Sequence, residues 1–297
     1  MKTYTNARAL GKEIRQQRAA GKRIALVPTM GNLHAGHLHL VETALEQADF
    51  VVTTIFVNPL QFGPQEDLAT YPRTLADDQT ALDSAGCHAV FHPSVEEIYG
   101  TNLEQQTTIH VPGVSENYCG ATRPGHFDGV ATVVCKLLNL TSPDVAYFGL
   151  KDYQQFLVIR KMVTDLGISV EVKGVEIVRA NSGLALSSRN GYLNAEQKLT
   201  AAAIHECLSA TALKIREGNR DYRALEASAL EFLAAQGLRP DYFAVAQADS
   251  LQPAAADDTH LVILAAAFLG PTRLIDNVRL VLTGSHGEGS RSEPVLS

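Results

Sequence analysis

Apolar positions along the chain follow two periods, and the switch between them recurs. Runs of strand-forming residues with few charges lie at Ile24–Pro28, Phe50–Val57, Ala89–His92, Val145–Phe148 and Val170–Val175. Between them apolar residues return every three or four positions, which predicts helices over Leu38–Gln47, Thr74–Ala85, Phe127–Leu140 and Tyr153–Leu166. An earlier helix, Ala7 to about Ala20, has a cap in Thr5 or Asn6 and a stop at Gly21. This alternation predicts a Rossmann-like α/β domain, a parallel sheet with helices on both faces. Ligands of such sheets sit beyond the carboxyl ends of the strands, where strand order reverses. The loops after Pro28, Val57 and Phe148 are therefore expected to share one cleft.

From about Val178 the pattern changes. A Ser- and Asn-rich loop, Asn181 to Asn190, precedes a long Ala-rich helix that Asn194 caps with Gln197. A second helix, Asp221–Gln236, leads to strands at Tyr242–Ala246 and Leu261–Phe268. The expected division is 1–177 for the Rossmann-like domain and 178–282 for a smaller α+β domain. Residues 283–297, rich in Gly, Ser and charge, read as a disordered tail. There is no internal repeat.

A length of 297 residues suits two domains, and 45% hydrophobic with 19% charged residues is an ordinary globular composition. A net charge of −7 argues against a general nucleic-acid binder. The four cysteines are widely spaced and form no Cys-x-x-Cys pair, which fits reduced thiols in a cytoplasm. No apolar signal region opens the sequence, and the longest apolar stretch, His260 to Gly270, is too short to span a bilayer.

The chemistry concentrates where the first apolar run meets its helix: Pro28-Thr-Met-Gly-Asn-Leu-His-Ala-Gly-His37. A strand that delivers a Gly-rich turn to a helix N-terminus is an anion site, because unpaired N–H groups and the helix dipole face the incoming phosphate. His34 and His37 lie three apart, so their imidazoles project to one side. Gly31 and Gly36 leave bare backbone on which a nucleotide can lie flat. The reading is a nucleotide site whose histidines contact phosphate. Two histidines could alternatively hold a metal with His39 or a distant carboxylate, but no i, i+4 His pair with an intervening Glu and no nearby Cys supports that.

Four further segments set polar residues at predicted strand or helix ends. In Phe56-Val-Asn-Pro-Leu-Gln-Phe-Gly63, Gln61 is either a solvated loop residue or a ligand for a hydroxyl or carboxylate. After Tyr71-Pro-Arg-Thr74 come Asp77 and Asp78, which the helix dipole favours by itself and which also suit Mg²⁺. Gly120 to Gly129 brings Arg123 and His126 to a loop held by Gly and Pro. Phe148-Gly-Leu-Lys-Asp-Tyr-Gln-Gln155 presents Lys151 to a phosphate, with Gln155 one turn further on the same side. Leu186-Ser-Ser-Arg-Asn190 is either a linker or a loop able to close over a triphosphate and stabilise departing pyrophosphate.

Taken in order, these strings closely resemble the pantothenate synthetase (pantoate–β-alanine ligase) family of the HIGH-motif nucleotidyltransferase superfamily. They span residues 28 to 190, and Leu-Ile-Asp-Asn near residue 275 also fits. The resemblance implies ATP-dependent condensation of (R)-pantoate with β-alanine through a pantoyl adenylate, with release of AMP and pyrophosphate. It implies that Met30, Gly31, Asn32, Leu33, His34, Ala35, Gly36 and His37 hold ATP, the histidines on its phosphates and Gly36 under the adenine. Gly149, Leu150, Lys151, Asp152 and Val178 would line the nucleoside. Lys151, Ser187, Ser188 and Arg189 would contact phosphate beside Leu186. Gln61 and Gln155 would hold pantoate, Gln61 also lying near β-alanine. Arg123 and His126 would sit at the phosphate or β-alanine side, and Asp77 would help hold Mg²⁺. The resemblance further implies a homodimer through the larger domain, while the charge and the short apolar stretches lead us to expect no nucleic-acid or membrane partner.

Leu150 departs from the family's usual Glu or Gln, so no side-chain role is expected there and Leu150→Glu should be nearly silent. Leu186 replaces a common Met, a volume-conserving swap. A rival within the superfamily is an adenylyltransferase acting on another coenzyme precursor. A rival of another class is an RNA-binding protein with a synthetase-like fold, which would need a basic face. In the ligase reading pantoate's carboxylate is itself the nucleophile. The protein then has only to align reactants, worth up to about 7–11 kcal/mol, and to neutralise charge. Closure of the small domain is expected to shield the anhydride from water.

Overall fold

The computed structural model describes residues 1–64 and 66–282; the tail expected at 283–297 lies outside them. The chain opens with β1 (Lys2–Tyr4), α1 (Ala7–Ala19), β2 (Ile24–Thr29), α2 (Ala35–Leu45) and β3 (Phe50–Ile55). After a 3-10 turn at Pro59–Gln61 come α3 (Leu75–Ser84), β4 (Ala89–Phe91), α4 (Val95–Tyr99) and α5 (Cys119–Thr122). They are followed by α6 (His126–Thr141), β5 (Val145–Gly149), α7 (Tyr153–Asp165) and β6 (Glu171–Val175). The remainder is α8 (Ala195–Ala201), α9 (Ala203–Arg216), α10 (Tyr222–Ala235), β7 (Arg239–Gln247), β8 (His260–Leu269) and β9 (Thr272–Val281).

The first six strands form one parallel sheet in the order β1-β4-β3-β2-β5-β6. Its central strands are buried on both faces, as their unbroken apolar runs require. Strand order reverses at β2, and there the sheet opens. β2 pairs with β3 as far as Thr29↔Ile55, whereas its pairing with β5 stops at Leu26↔Ala146. Pro28, which has no N–H to give, lies beyond that last pair. A proline in an inner strand is thus tolerated because the ladder on one side has already ended.

The C-terminal sheet is antiparallel, β7-β8-β9. Each face of β8 serves a different core. Leu261, Ile263, Ala265 and Ala267 pack with α9 and α10, while Val262 and Leu264 join the core that holds Tyr153 and Phe156 of α7. The two sheets therefore share apolar contact, and a small domain that swung free would have to expose Val262 and Leu264. The structure adds elements to the sequence reading. β1 and β9 are additional strands, α4 and α5 are additional short helices, and the expected long helix is two, turning at Ala202 between α8 and α9.

Candidate active site

The carboxyl ends of β2, β3 and β5 meet in a cavity of about 210 Å³, bounded by Met30, Phe56, Asn58, Gln61, Phe148 and Gly149 among others. The three loops expected to share a cleft do share it. A larger cavity of about 950 Å³ adjoins it under β9, and Lys151, Asp152, Ser187 and Arg189 line both.

The turn after β2 sets the geometry. Gly31 has φ +81°, and a Cβ there would lie 3.0 Å from Asp78 Oδ2 and 3.0 Å from Ile55 Cγ2, so only glycine fits. The buried Asp78 accepts hydrogen bonds from the N–H groups of Asn32 (2.9 Å) and Leu33 (2.8 Å) and from the Thr74 hydroxyl (3.2 Å). These amides are taken by a carboxylate of α3 and are not free for a ligand. Accordingly Gly31, Asn32, Leu33 and the exposed Ala35 line neither cavity, contrary to the sequence expectation.

His34 is the N-cap of α2. Its Nδ1 accepts from Gly36 N–H at 3.1 Å, and His37 Nδ1 accepts from His34 N–H at 3.4 Å. A ring nitrogen that accepts a backbone N–H carries no proton, so each Nε2 bears the N–H and is the donor left for a ligand. The two rings lie 4.1 Å apart, and both line the smaller cavity together with Gly36. Burial first and Lys151 next lower the His34 pKa to about 4. Burial, then His34 and Lys151, lower that of His37 to about 3. Both imidazoles are neutral donors at pH 7.

The formal positive charge comes from Lys151 and Arg189. Lys151 stands in the turn after β5 with its ammonium 3.6 Å from Asp152. Arg189 is held by Asp67 in a two-point pair at 2.8 and 3.1 Å. Ser188 Oγ donates to Asn32 O (3.0 Å) and Asn32 Nδ2 donates back to Ser188 O (3.3 Å), which staples the serine loop to the histidine turn. Ser187 Oγ accepts from Arg189 N–H at 3.3 Å.

Gln61 and Gln155 both line the smaller cavity. The Gln61 amide is set by Asn58, whose Nδ2 donates to Gln61 Oε1 (3.1 Å) and to Gly129 O (3.1 Å). Asn58 Oδ1 in turn accepts from the Tyr99 hydroxyl at 2.7 Å. Arg123 faces the larger cavity in an ion pair with Glu66. His126 lines neither cavity. Its Nδ1–H donates to Gln61 O (2.8 Å), and its Nε2 accepts from Arg123 (2.8 Å), so it holds the residues beside the site and offers a ligand nothing. Burial and then Arg123 push its pKa down to about 3.

Two more expectations need correction. Asp77 is exposed on the outer side of the first turn of α3 and lines neither cavity. Among the described residues no group of three His, Cys, Asp or Glu side chains could hold a metal. The residues present do not fit a protein-held Mg²⁺ at Asp77. Leu150 is 4% exposed, outside both cavities, with its side chain where a Cβ on Gly174 would collide. A carboxylate there would be desolvated, so Leu150→Glu is not the silent change expected. Met30, Gly149, Asp152, Val178 and Leu186 do line the smaller cavity. Sequence reasoning misses Asn58, which positions the site, and puts its weight on Asp77 rather than Asp78. Asp78 shares the buried face of α3 with Leu82, and that helical phase was the available signal.

Fold and site together define a doubly wound α/β protein with an anion-receiving crevice at its switch point. The family model for pantoate-beta-alanine ligase matches residues 2–279. The chain is 57% identical over 282 residues to the pantothenate synthetase of Pseudomonas aeruginosa, covering 95% of this chain and 100% of that protein. Among solved structures it is similar to pantothenate synthetase from Thermus thermophilus, with TM-score 0.87, 42% identity and coverage of 94% of this chain and 99% of that one. It is also similar to a Francisella tularensis pantoate-beta-alanine ligase complexed with beta-gamma ATP and beta-alanine, with TM-score 0.79, 33% identity and coverage of 94% and 97%. The chain belongs to the pantoate–β-alanine ligase family.

Proposed function

We propose that the chain joins (R)-pantoate to β-alanine at the expense of ATP through a pantoyl adenylate. The observation that carries this reading is a convergence at one crevice. Two neutral Nε2–H donors, Lys151, Arg189 and the amides of Gln61 and Gln155 all line it. The imidazoles and cations suit a triphosphate, and the two amides suit a hydroxy acid that must be aligned without being charged or cleaved.

In this reading the pantoate carboxylate attacks the α-phosphorus, a C–O–P linkage forms, and the bond to the β-phosphate breaks with pyrophosphate as leaving group. Lys151, Arg189 and the imidazole donors of His34 and His37 neutralise the charge that develops there. Ser187 and Ser188 offer further hydroxyl contacts. The amine of β-alanine then attacks the acyl carbon, and AMP departs. Arg123, in the larger cavity, is assigned to the β-alanine carboxylate. Magnesium enters only as the counter-ion of the nucleotide's phosphates, with no step assigned to it and none to Asp77. We further propose the functional halves 1–177 and 178–282, a cytoplasmic location and a homodimer through the larger half; sedimentation at the dimer mass tests the last.

The reaction test follows AMP with each substrate omitted in turn. Sustained AMP and pyrophosphate in equal amounts are expected only with pantoate and β-alanine both present. Pyrophosphate with a stable nucleotidylated product and no AMP would instead mark an adenylyltransferase.

A further inference from the structure

Two neighbouring residues of β9 reach out of the C-terminal sheet to both walls of the nucleotide crevice. Asn277, 3% exposed, spends both amide hydrogens on the turn that carries Lys151. Its Nδ2 donates to Leu150 O at 2.8 Å and to Lys151 O at 2.9 Å. Asp276, 5% exposed, holds the guanidinium of Arg179 at two points, 2.6 and 2.9 Å. Arg179 also donates to Gly183 O at 3.1 Å, across the hairpin closed by Arg179↔Ala185 and by Leu186 N–H on Val178 O (2.9 Å). That hairpin ends in Val178 and Leu186, which line the same cavity as Lys151. The backbone N–H of Asn277 donates to Asp276 Oδ1 at 2.8 Å, which fixes the Asp276 carboxylate against the main chain of its neighbour.

We infer that Asp276 and Asn277 are positioning residues that set the distance between the phosphate-facing lysine and the wall beside the nucleoside. Neither needs to touch substrate. Buried hydrogen bonds of this kind favour one geometry, because any other leaves the Leu150 and Lys151 carbonyls or the Asp276 carboxylate without these donors. Asn277 fixes the Lys151 turn by its carbonyls and leaves the ammonium free. Asp276 fixes the hairpin through Arg179. The strand thus ties the C-terminal sheet to the first chemical step, Asn277 through backbone carbonyls and Asp276 through the Arg179 guanidinium.

The inference rests on the assignment of Lys151 to phosphate, and its test separates the two. Binding of ATP and of adenosine is measured for the full chain and for Lys151→Ala, Asn277→Asp and Asp276→Asn, beside AMP turnover. Asn277→Asp keeps the shape and turns a donor into an acceptor facing two carbonyls. It is expected to reduce the preference for ATP over adenosine about tenfold and kcat about 10–100-fold, the scale of a 1 Å misplacement. KM for β-alanine should stay within about twofold. The double variant with Lys151→Ala should lose little more than either alone. Asp276→Asn should weaken adenosine and ATP alike.

Ile263→Ala, a cavity in the same sheet, lowers Tm and leaves the ATP preference and kcat unchanged. If Asn277→Asp is recovered unfolded, Asn277→Ser, with a single smaller donor, is measured in its place. An unchanged ATP preference in Lys151→Ala overturns the phosphate assignment. A lowered preference there with none in the Asn277 variants overturns the positioning role alone.

Discussion

At the scale of single residues, the histidines act through their uncharged form. Each spends Nδ1 on a backbone N–H and keeps Nε2–H for the ligand, an arrangement a protonated ring could not make. His37→Ala removes one such donor. It is expected to slow adenylate formation about 10²–10³-fold, the usual cost of losing a preorganised donor, and to remove one hydrogen bond of the capping box at the start of α2. Near-normal pyrophosphate release with intact circular dichroism would refute it.

His126 makes a prediction of opposite kind, about stability. Its folded pKa of about 3 lies below the unfolded value near 6.5, so between these values the unfolded chain binds the extra proton. The His126 contribution is complete above pH 6.5 and is lost as pH falls towards 3. Urea midpoints at pH 7.5 and 4.5 should therefore differ less in His126→Gln than in the natural chain. The sequence revealed that these histidines belong near the site. It did not reveal that one of them faces inward, because that depends on Arg123 and on the carbonyl of Gln61, 65 positions away.

At the scale of elements, α6 comes so close to the Pro59–Gln61 turn that a Cβ on Gly129 would lie 2.1 Å from Leu60 O. Gly129→Ala must push that turn, and Gln61 with it, out of register. The expected result is a loss of about 1–3 kcal/mol from overpacking and a raised KM for pantoate with KM for ATP little changed; equal changes in both would count against Gln61 as a pantoate ligand. The inner strands of the parallel sheet were legible because they are short runs of strand-forming residues without charges, whereas the edge strand β1, Lys-Thr-Tyr, was not. β9 was not, because Asp276 and Asn277 interrupt its alternation and make it look like a loop. The confusion of Asp77 with Asp78 has a similar origin. Both suit a first helical turn, and only the phase set by the buried Leu82 decides which one turns inward.

At the scale of the whole molecule, the expected boundary near residue 177 divides two sheets but not two independent cores. Val262 and Leu264 pack with the core of α7, and Tyr153 donates from α7 to Ala248 O at 3.1 Å. Calorimetry should give one endotherm for the full chain, and two resolved endotherms would show independent halves. Composition could not reveal this, because β8 is apolar on both faces and an apolar face does not announce its partner.

The double-sided burial of β8 also has a consequence for biosynthesis. A ribosome that has released only residues 1–177 has made a sheet and a helix whose apolar cover is still to come, so the nascent product is sticky until the last hairpin is threaded into place. Fragments 1–177 and 178–282 made in separate cells should each collect in inclusion bodies, whereas the same fragments made together should be recovered as a soluble, active pair.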